Sequence, residues 1–560
     1  MGGRGVFRIL HREIRGLHEA AYVLALFTFG SQIFALVRDR LFAHTFGAGS
    51  TLDLFYAAFR IPDTLYALLA SVVSLFVLIP FLERAGEEGK DGVRQFLSDM
   101  FSFFSGALIL VAGCAWVFAP QLVRMLYAGF DPVMHTQLVP LVRVLLLQPL
   151  LLGISNLFAA YVQMRGRFML YAVAPILYNV GIIVGVLFFY PVWGPVGLAW
   201  GVVLGAVLHL GIQTPYIVSS GVLPRLTVPE WWRVWEVVRL SIPRTITLSA
   251  QQLVTLVLVS IASYFAVGSI SSFTFAWNLQ AVPLAIIGVS YSVAAFPKLA
   301  RLYGNGDRKE YATLIVTAAR QIIFWAMPVT VLFVVLRAQI VRVILGTGAF
   351  DWSATMQTGA VLALLSVSLV AQGLVVLLVR ACYAAGKTMV PLVLNVGSSI
   401  ATVALAFGLL GMAKVGLIDL GAFEHLMRVP SVHGGEILLL ALAYSLGSFV
   451  NVILMIIYFE RRIDTFIGQL AHTGGMSLVA SLCAGVVAYL TLNVVDGMVS
   501  LQTTMGVFLQ GLVAGVAGMV AWVLSLMVFK SEDLRVAYEA LHRRLLRARL
   551  SATQGSIGES

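Results

Sequence analysis

The chain predicts an all-α polytopic membrane protein of about 14 transmembrane helices, arranged as two pseudo-symmetric six-helix repeats around a central cavity plus two C-terminal helices. Three observations carry this. Of 560 residues, 60% are hydrophobic and 11% charged, with a mean hydropathy of +0.93, whereas soluble domains carry about 25% charge. The apolar runs are continuous and do not alternate with period two, which excludes a membrane β-barrel. The chain is also written twice, at an offset of about 218 positions, which marks transporters whose path lies between repeats. Gly49-Ser50, Asp53, Pro62, Pro80, a charged loop from Glu83 to Asp91 and Gln121-Leu122-Val123-Arg124 recur in order. Their counterparts are Gly268-Ser269, Ser272, Pro283, Pro297, a charged loop from Arg301 to Glu310 and Gln339-Ile340-Val341-Arg342. Pro175 with Asn179-Val180-Gly181 answers to Pro391 with Asn395-Val396-Gly397.

Residues 1–17 are basic and amphipathic, read as a segment on the inner leaflet; no A-x-A-like cleavage site of a signal peptide follows. A span needs about 20 apolar residues, because without water each backbone group must find its partner inside the helix. Such segments start near residues 18, 53, 96, 137, 171 and 197 (the first repeat, 18–218) and near 240, 273, 312, 357, 389 and 435 (the second, 240–459). Residues 219–239, with Pro224, Pro229 and Trp231-Trp232, form the expected linker, its tryptophans suited to headgroups. Two further spans over 474–529 have no counterpart in the first half, and 530–560 is a basic tail with Leu541, Leu545 and Leu546 opposite Arg543, Arg544 and Arg547. That tail reads either as a second leaflet-bound segment or as a solvated charged end.

Basic residues set the expected orientation. Arg4 to Arg15, Arg84, Lys90, Arg94, Arg165, Arg167, Arg225, Arg233, Arg239, Lys298, Arg301, Arg308, Lys309, Arg380, Lys387, Arg461, Arg462 and the tail share one side. The other side holds only Arg124, Arg337, Arg342, Lys414 and Arg428. The positive-inside rule then places both termini in the cytoplasm. The net charge of +11 faces anionic lipid, and no nucleic-acid motif competes for it. Cys114, Cys382 and Cys483 stand apart, so neither a disulfide nor a metal site is expected, and no cofactor.

A charge near the bilayer centre costs about 2.5–3.5 kcal/mol and persists where it faces water, a partner or a ligand. Arg38, Asp39 and Arg40 lie in the first expected span, and Asp53, Arg60 and Asp63 in the second. One reading is a polar cavity in which Arg38 and Arg60 receive an anionic headgroup. The other is an Arg–Asp network locking the first two helices, a role suited to Asp39 and Asp53, since acids repel anions. Arg40 snorkels outward on this pattern, and Arg143, Arg244 and Arg320 read as end-of-helix anchors. By the offset, Arg38, Asp39, Asp53 and Arg60 fall opposite Val257, Leu258, Ser272 and Leu279; Gln32 keeps its polarity opposite Gln251. The expected cavity charge therefore comes from one half. Hydrolase, metalloprotease and nucleotide-binding motifs are absent, and His44 and His209 read as packed histidines.

At Ser31, Arg38-Asp39, Gly47-Ala48-Gly49, Asp53 and Phe59-Arg60-Ile61-Pro62 to Pro80 the chain resembles the lipid II flippase family (MurJ, formerly MviN). That family sits within the multidrug/oligosaccharidyl-lipid/polysaccharide exporter superfamily. The resemblance runs on through Gly166-Arg167-Phe168, Ala174-Pro175-Ile176-Leu177, Gly288-Val289, Phe296-Pro297, Tyr383, Lys387-Thr388 and Pro391. It implies export of lipid-linked peptidoglycan precursor across the bacterial inner membrane by alternating access, with no enzymatic step. It also departs from the family: Gln32, Tyr66 and Trp277-Asn278 stand where basic residues are usual, and no acid supplies a sodium site in the seventh or eleventh span. The implied substrate-binding set is Arg38, Arg60, Gln32 and Asn278; the structural or gating set is Asp39, Asp53, Tyr66, Pro62 and Pro283. Expected partners are a polyprenyl-diphosphate saccharide, membrane lipids and a coupling ion, for a monomer that binds no nucleic acid. The competing readings are an exporter of another such saccharide, a cation-coupled multidrug exporter, and a scaffold that transports nothing.

Overall fold

A computed structural model of the chain describes residues 17–70, 75–429, 434–463, 465–499, 503–535 and 539. Among the described residues the long apolar runs are helical, as they must be where backbone groups have no water to bond. The first copy comprises α1 (Leu17–Phe46), α2 (Ser50–Ala70), α3 (Leu75–Glu87), α4 (Gly89–Val117), the short α5 (Ala119–Leu126), α6 (Pro132–Met164), α7 (Phe168–Trp193) and α8 (Pro195–Ser219). The second comprises α9 (Trp231–Ala262), α10 (Ser269–Gly304), α11 (Arg308–Val335), the short α12 (Arg337–Leu345), α13 (Trp352–Val367), α14 (Leu369–Ala384), α15 (Met389–Lys414), the short α16 (Leu420–Leu426) and α17 (Glu436–Glu460). The added pair is α18 (Phe466–Asp496) and α19 (Thr504–Val528). Among the described residues, 11 helices are long and apolar enough to cross a membrane, or 12 when α13 and α14, bent by 45°, count as one. α1, and α2 with α3, occupy the places of the first two expected spans.

Two expectations change. The charged stretches are not loops: α3 and α4 are separated by Glu88 alone, and only residues 305–307 part α10 from α11. Helices simply run on past their apolar portions, with Gly89 (φ 82°) and Gly306 (φ 86°) making the turns. The linker's second part is likewise helical from Trp231, leaving 222–230 extended. That segment is sewn to α4: Arg225 N–H donates to Ser98 Oγ (3.0 Å), Thr227 N–H to Ser102 Oγ (2.9 Å), and Gln95 Nε2 to Glu230 Oε1 (2.5 Å). Arg233 closes the stitch on Asp99 (3.6 Å) and Glu230 (3.1 Å). The segment expected over 1–17 and most of the basic tail lie outside the described residues.

The chain groups into two units. The first holds Met1–Phe275, Ile344–Thr358 and Thr388–Ala443. In it α1 packs on α7, and α9 on both α2 and α15. α7 and α8 meet through Gly181, Gly185, Gly201 and Gly205, whose facing backbones leave no room for a Cβ, the small-residue contact typical of membrane helices. The second unit holds Ala276–Val343, Gly359–Lys387 and Tyr444–Ser560. There α18 and α19 pack on each other and α18 on α11, around Phe324, Ala480, Ala484, Trp522 and Leu526. Arg320 corrects the sequence reading. It is not an end-of-helix anchor but an ion-pair partner of Asp533 (3.1 Å), which also accepts from Thr473 Oγ1 (2.9 Å). This ties α11 to α18 and to the residues after α19.

Candidate functional site

The site grows from α1, α2 and α7 within the first unit. Arg38 donates through Nε (3.0 Å) and Nη2 (2.8 Å) to Asp39 Oδ1, and through Nη1 to Asn179 Oδ1 (3.0 Å). Asn179, on α7, fixes its amide by donating Nδ2 to the Pro175 carbonyl (3.0 Å), so its oxygen is left facing the guanidinium. Asp39 is buried and balances the arginine's charge, as a charge removed from water requires. The network thus joins α1 to α7, and Arg38 and Asp39 also act electrostatically on Tyr56 of α2.

Arg60, on α2, differs from Arg38 in one respect. Its guanidinium has no hydrogen-bond or ion-pair partner among the described residues, and its Nε is shielded from solvent. Asp63 is its electrostatic neighbour and receives only a long bond from Gln148 Nε2 (3.5 Å), while Gln148 Oε1 is buried without a partner. Two features mark the helix here: Pro62 removes a donor, and Thr64 Oγ1 bonds back to the Arg60 carbonyl (2.7 Å).

Tyr56 is the residue that sequence reading missed. Arg38, Asp39, Asp53 and Arg60 all act on it electrostatically, and its buried hydroxyl has no hydrogen-bond partner among the described residues. Its spacing was a usable signal, since positions three after Asp53 and four before Arg60 share a helix face. Asn179 was visible as a polar residue in an apolar run, but not as the partner of Arg38. Tyr66 accepts a hydrogen bond from Asn156. Gln32 is half-buried on α1. Asn278 and Pro283 are on the part of α10 belonging to the second unit, Asn278 half-buried and Pro283 just before a π-helical turn at Ala285–Val289. The other flagged charges are placed as follows: Arg40 is exposed, and Arg143 lies over the Trp116 ring (4.4 Å) while bonding its carbonyl (3.2 Å). The Arg244 side chain lies outside the described set. His209 Nδ1 meets Ser155 Oγ at 2.7 Å.

Asp53 sits at the end of the site. Its carboxylate accepts from the backbone N–H groups of Gly268 (2.6 Å) and Ser271 (2.7 Å), capping α10 with a negative charge where the helix dipole is positive. The surrounding backbones touch. A Cβ on Gly268 (φ 94°) would lie 2.6 Å from the Ala48 carbonyl oxygen, and one on Gly47 (φ 62°) 2.5 Å from that of Ala349. Ala349 N–H also donates to the His44 carbonyl (2.9 Å). The beginnings of α2 and α10 and the loop between α12 and α13 are thereby pinned together. The arrangement offers one committed guanidinium, paired with Asp39 and Asn179, and one uncommitted guanidinium beside Asp63, near a closed end. It suits a bound anion.

Comparison with known proteins adds a family model, described as lipid II flippase MurJ, that matches residues 42–509. A protein of Burkholderia cenocepacia described as "Lipid II flippase MurJ" is 26% identical over 401 residues, covering 69% of this chain and 77% of that one. A "Probable lipid II flippase MurJ" of Buchnera aphidicola is 28% identical over 378 residues, covering 66% and 73%. Among solved structures, "Lipid II flippase MurJ, inward closed conformation" superposes with a TM-score of 0.73 at 20% identity, over 91% of this chain and 98% of that one. An inward-facing multidrug resistance MATE transporter follows at 0.63 and 14%, over 78% and 96%.

Proposed function

The chain belongs to the lipid II flippase MurJ family, and from that premise we propose that it carries lipid II from the inner to the outer leaflet of the cytoplasmic membrane by alternating access. The observation that carries the reading is Arg60, a guanidinium on a membrane helix with no partner of its own among the described residues. A diphosphate would supply what it lacks: planar, paired acceptors for a fork of donors. Arg38, oriented by Asp39 and Asn179, keeps N–H groups for the same anion. Gln32 and Asn278 would add neutral contacts to the sugar-bearing headgroup.

In this reading both termini are cytoplasmic, the halves 18–218 and 240–459 rock about the substrate path, and one chain suffices. The junction of Asp53 with Gly268 and Ser271 joins the starts of α2 and α10, which the positive-inside pattern places outside. It is the outer gate, and it must part for release. No nucleotide motif is present, so a gradient or the membrane potential drives the cycle. A second reading, another polyprenyl-diphosphate saccharide as cargo, is favoured by Gln32, Tyr66 and Asn278 standing where the family is usually basic. Complementation of a flippase-depleted cell separates these readings: Arg38→Ala should express normally and fail to restore growth. Full rescue by that variant would remove Arg38 from the headgroup site. Failure of the parent chain itself to rescue would favour the other cargo.

A further inference from the structure

A second anion site lies in the second unit, away from Arg38 and Arg60 in the chain. The end of α10, the start of α11, the end of α14 with the turn that follows it, and the end of α17 surround a cavity of about 260 Å³. Three cations, Arg308, Lys387 and Arg462, line it, together with Tyr303, Tyr311 and Tyr458; among the described residues no acidic side chain does. The arginines are held by their faces. Arg308 lies 3.3 Å from the Tyr303 ring centroid and Arg462 3.7 Å from that of Tyr458. Each gives one Nη1 bond to the carbonyl of the same tyrosine, both at 3.1 Å. Stacking of this kind fixes a guanidinium while leaving other edge donors free. The Lys387 ammonium has no partner among the described residues, and the Tyr458 hydroxyl, shielded from solvent, lies beside the Arg462 guanidinium. Tyr311 is committed to the Ala381 carbonyl (2.7 Å) and forms a fixed wall.

The first copy has a related turn in an apolar setting. Gly166-Arg167 corresponds to Gly386-Lys387, both glycines at positive φ (68° and 69°), and Arg167 lies over Tyr216 at 5.5 Å. There Val222, from the extended linker, is buried among Leu82, Tyr161 and Tyr216. The cavity of the second unit is lined with positive charge.

We propose that this cavity binds the phosphate headgroup of an anionic membrane phospholipid. Phosphate matches three convergent cations with free donors. The cavity is formed at the ends of α10 and α17, where the positive-inside pattern puts the inner leaflet, whose anionic lipids attract basic clusters. Tyrosines at the interface suit the headgroup layer. The assignment stands whether lipid II or another saccharide is the cargo.

The test uses the purified full chain in detergent, with phosphatidylglycerol and phosphatidylcholine as probes and bound lipid counted by native mass spectrometry. The parent should retain phosphatidylglycerol in preference to phosphatidylcholine. Arg308→Gln with Lys387→Gln and Arg462→Gln should weaken phosphatidylglycerol about a hundredfold, at about fivefold per cation. If that triple variant does not fold, Lys387→Gln alone should cost about fivefold. Unchanged phosphatidylglycerol binding in a folded variant overturns the site. Displacement of the lipid by inorganic phosphate at equal concentration overturns the lipid and assigns the cavity to a soluble anion.

Discussion

At the positions where the first copy sets Arg38 and Asp39 on α1, the second sets Val257 and Leu258 on α9; where the first has Arg60, the second has Leu279. Leu258 and Leu279 are buried and Val257 half-buried. Both copies nonetheless run through the same order of helices, down to the short α5 and α12. The scaffold therefore does not need the charges. Buried ion pairs add little stability over well-packed apolar residues, so the first copy's pair is kept for something other than holding helices together. The junction at Asp53 repeats the lesson: Asp53 caps α10 with a charge, while its counterpart Ser272 makes a neutral bond to Gln357 (3.0 Å).

That contrast can be broken or sharpened by exchanging residues between copies. The largest effect should come from Asp39→Ala, which strands Arg38; about 3–5 kcal/mol of stability should be lost, seen as a fall in Tm and expression. The double exchange Arg38→Val with Asp39→Leu should instead stay within about 1–2 kcal/mol of the parent and abolish transport. A double variant as unstable as the single one would make the pair structural. The reverse exchange, Leu279→Arg, places a charge where the second copy buries an apolar side chain and should cost about 2.5–3.5 kcal/mol. A normal Tm would mean that α10 already faces a polar path there. Asp53→Ser should weaken the gate by about 1–2 kcal/mol and raise the labelling of an Ala48→Cys probe by an outside thiol reagent. Smallest is Arg143→Gln, which loses a ring contact and one carbonyl bond; its Tm should drop by no more than the equivalent of about 1 kcal/mol.

Much of this was legible before the structure. Continuous apolar runs and the duplication led to the helical fold, and charges within spans led to Arg38, Asp39, Asp53 and Arg60. Partners were not legible. Arg38 meets Asn179 across a gap of 141 residues and Arg320 meets Asp533 across 213, and no periodicity reports which helices are neighbours. Nor did composition show that Arg60 would be left without a partner while Arg38 found Asp39 and Asn179, because that depends on where Asn179 and Gln148 project. The charged stretches were misread as loops because polarity marks the membrane boundary and not the end of a helix.

The central claim is that Arg60 is held in reserve for the substrate's diphosphate. Its most direct test is the affinity of the purified full chain for lipid II, compared between the parent and Arg60→Ala at matched Tm. Losing a charge-assisted contact of about 1.5–3 kcal/mol should weaken binding about tenfold to a hundredfold, with Arg60→Lys in between. Equal affinity in the parent and Arg60→Ala would contradict the account.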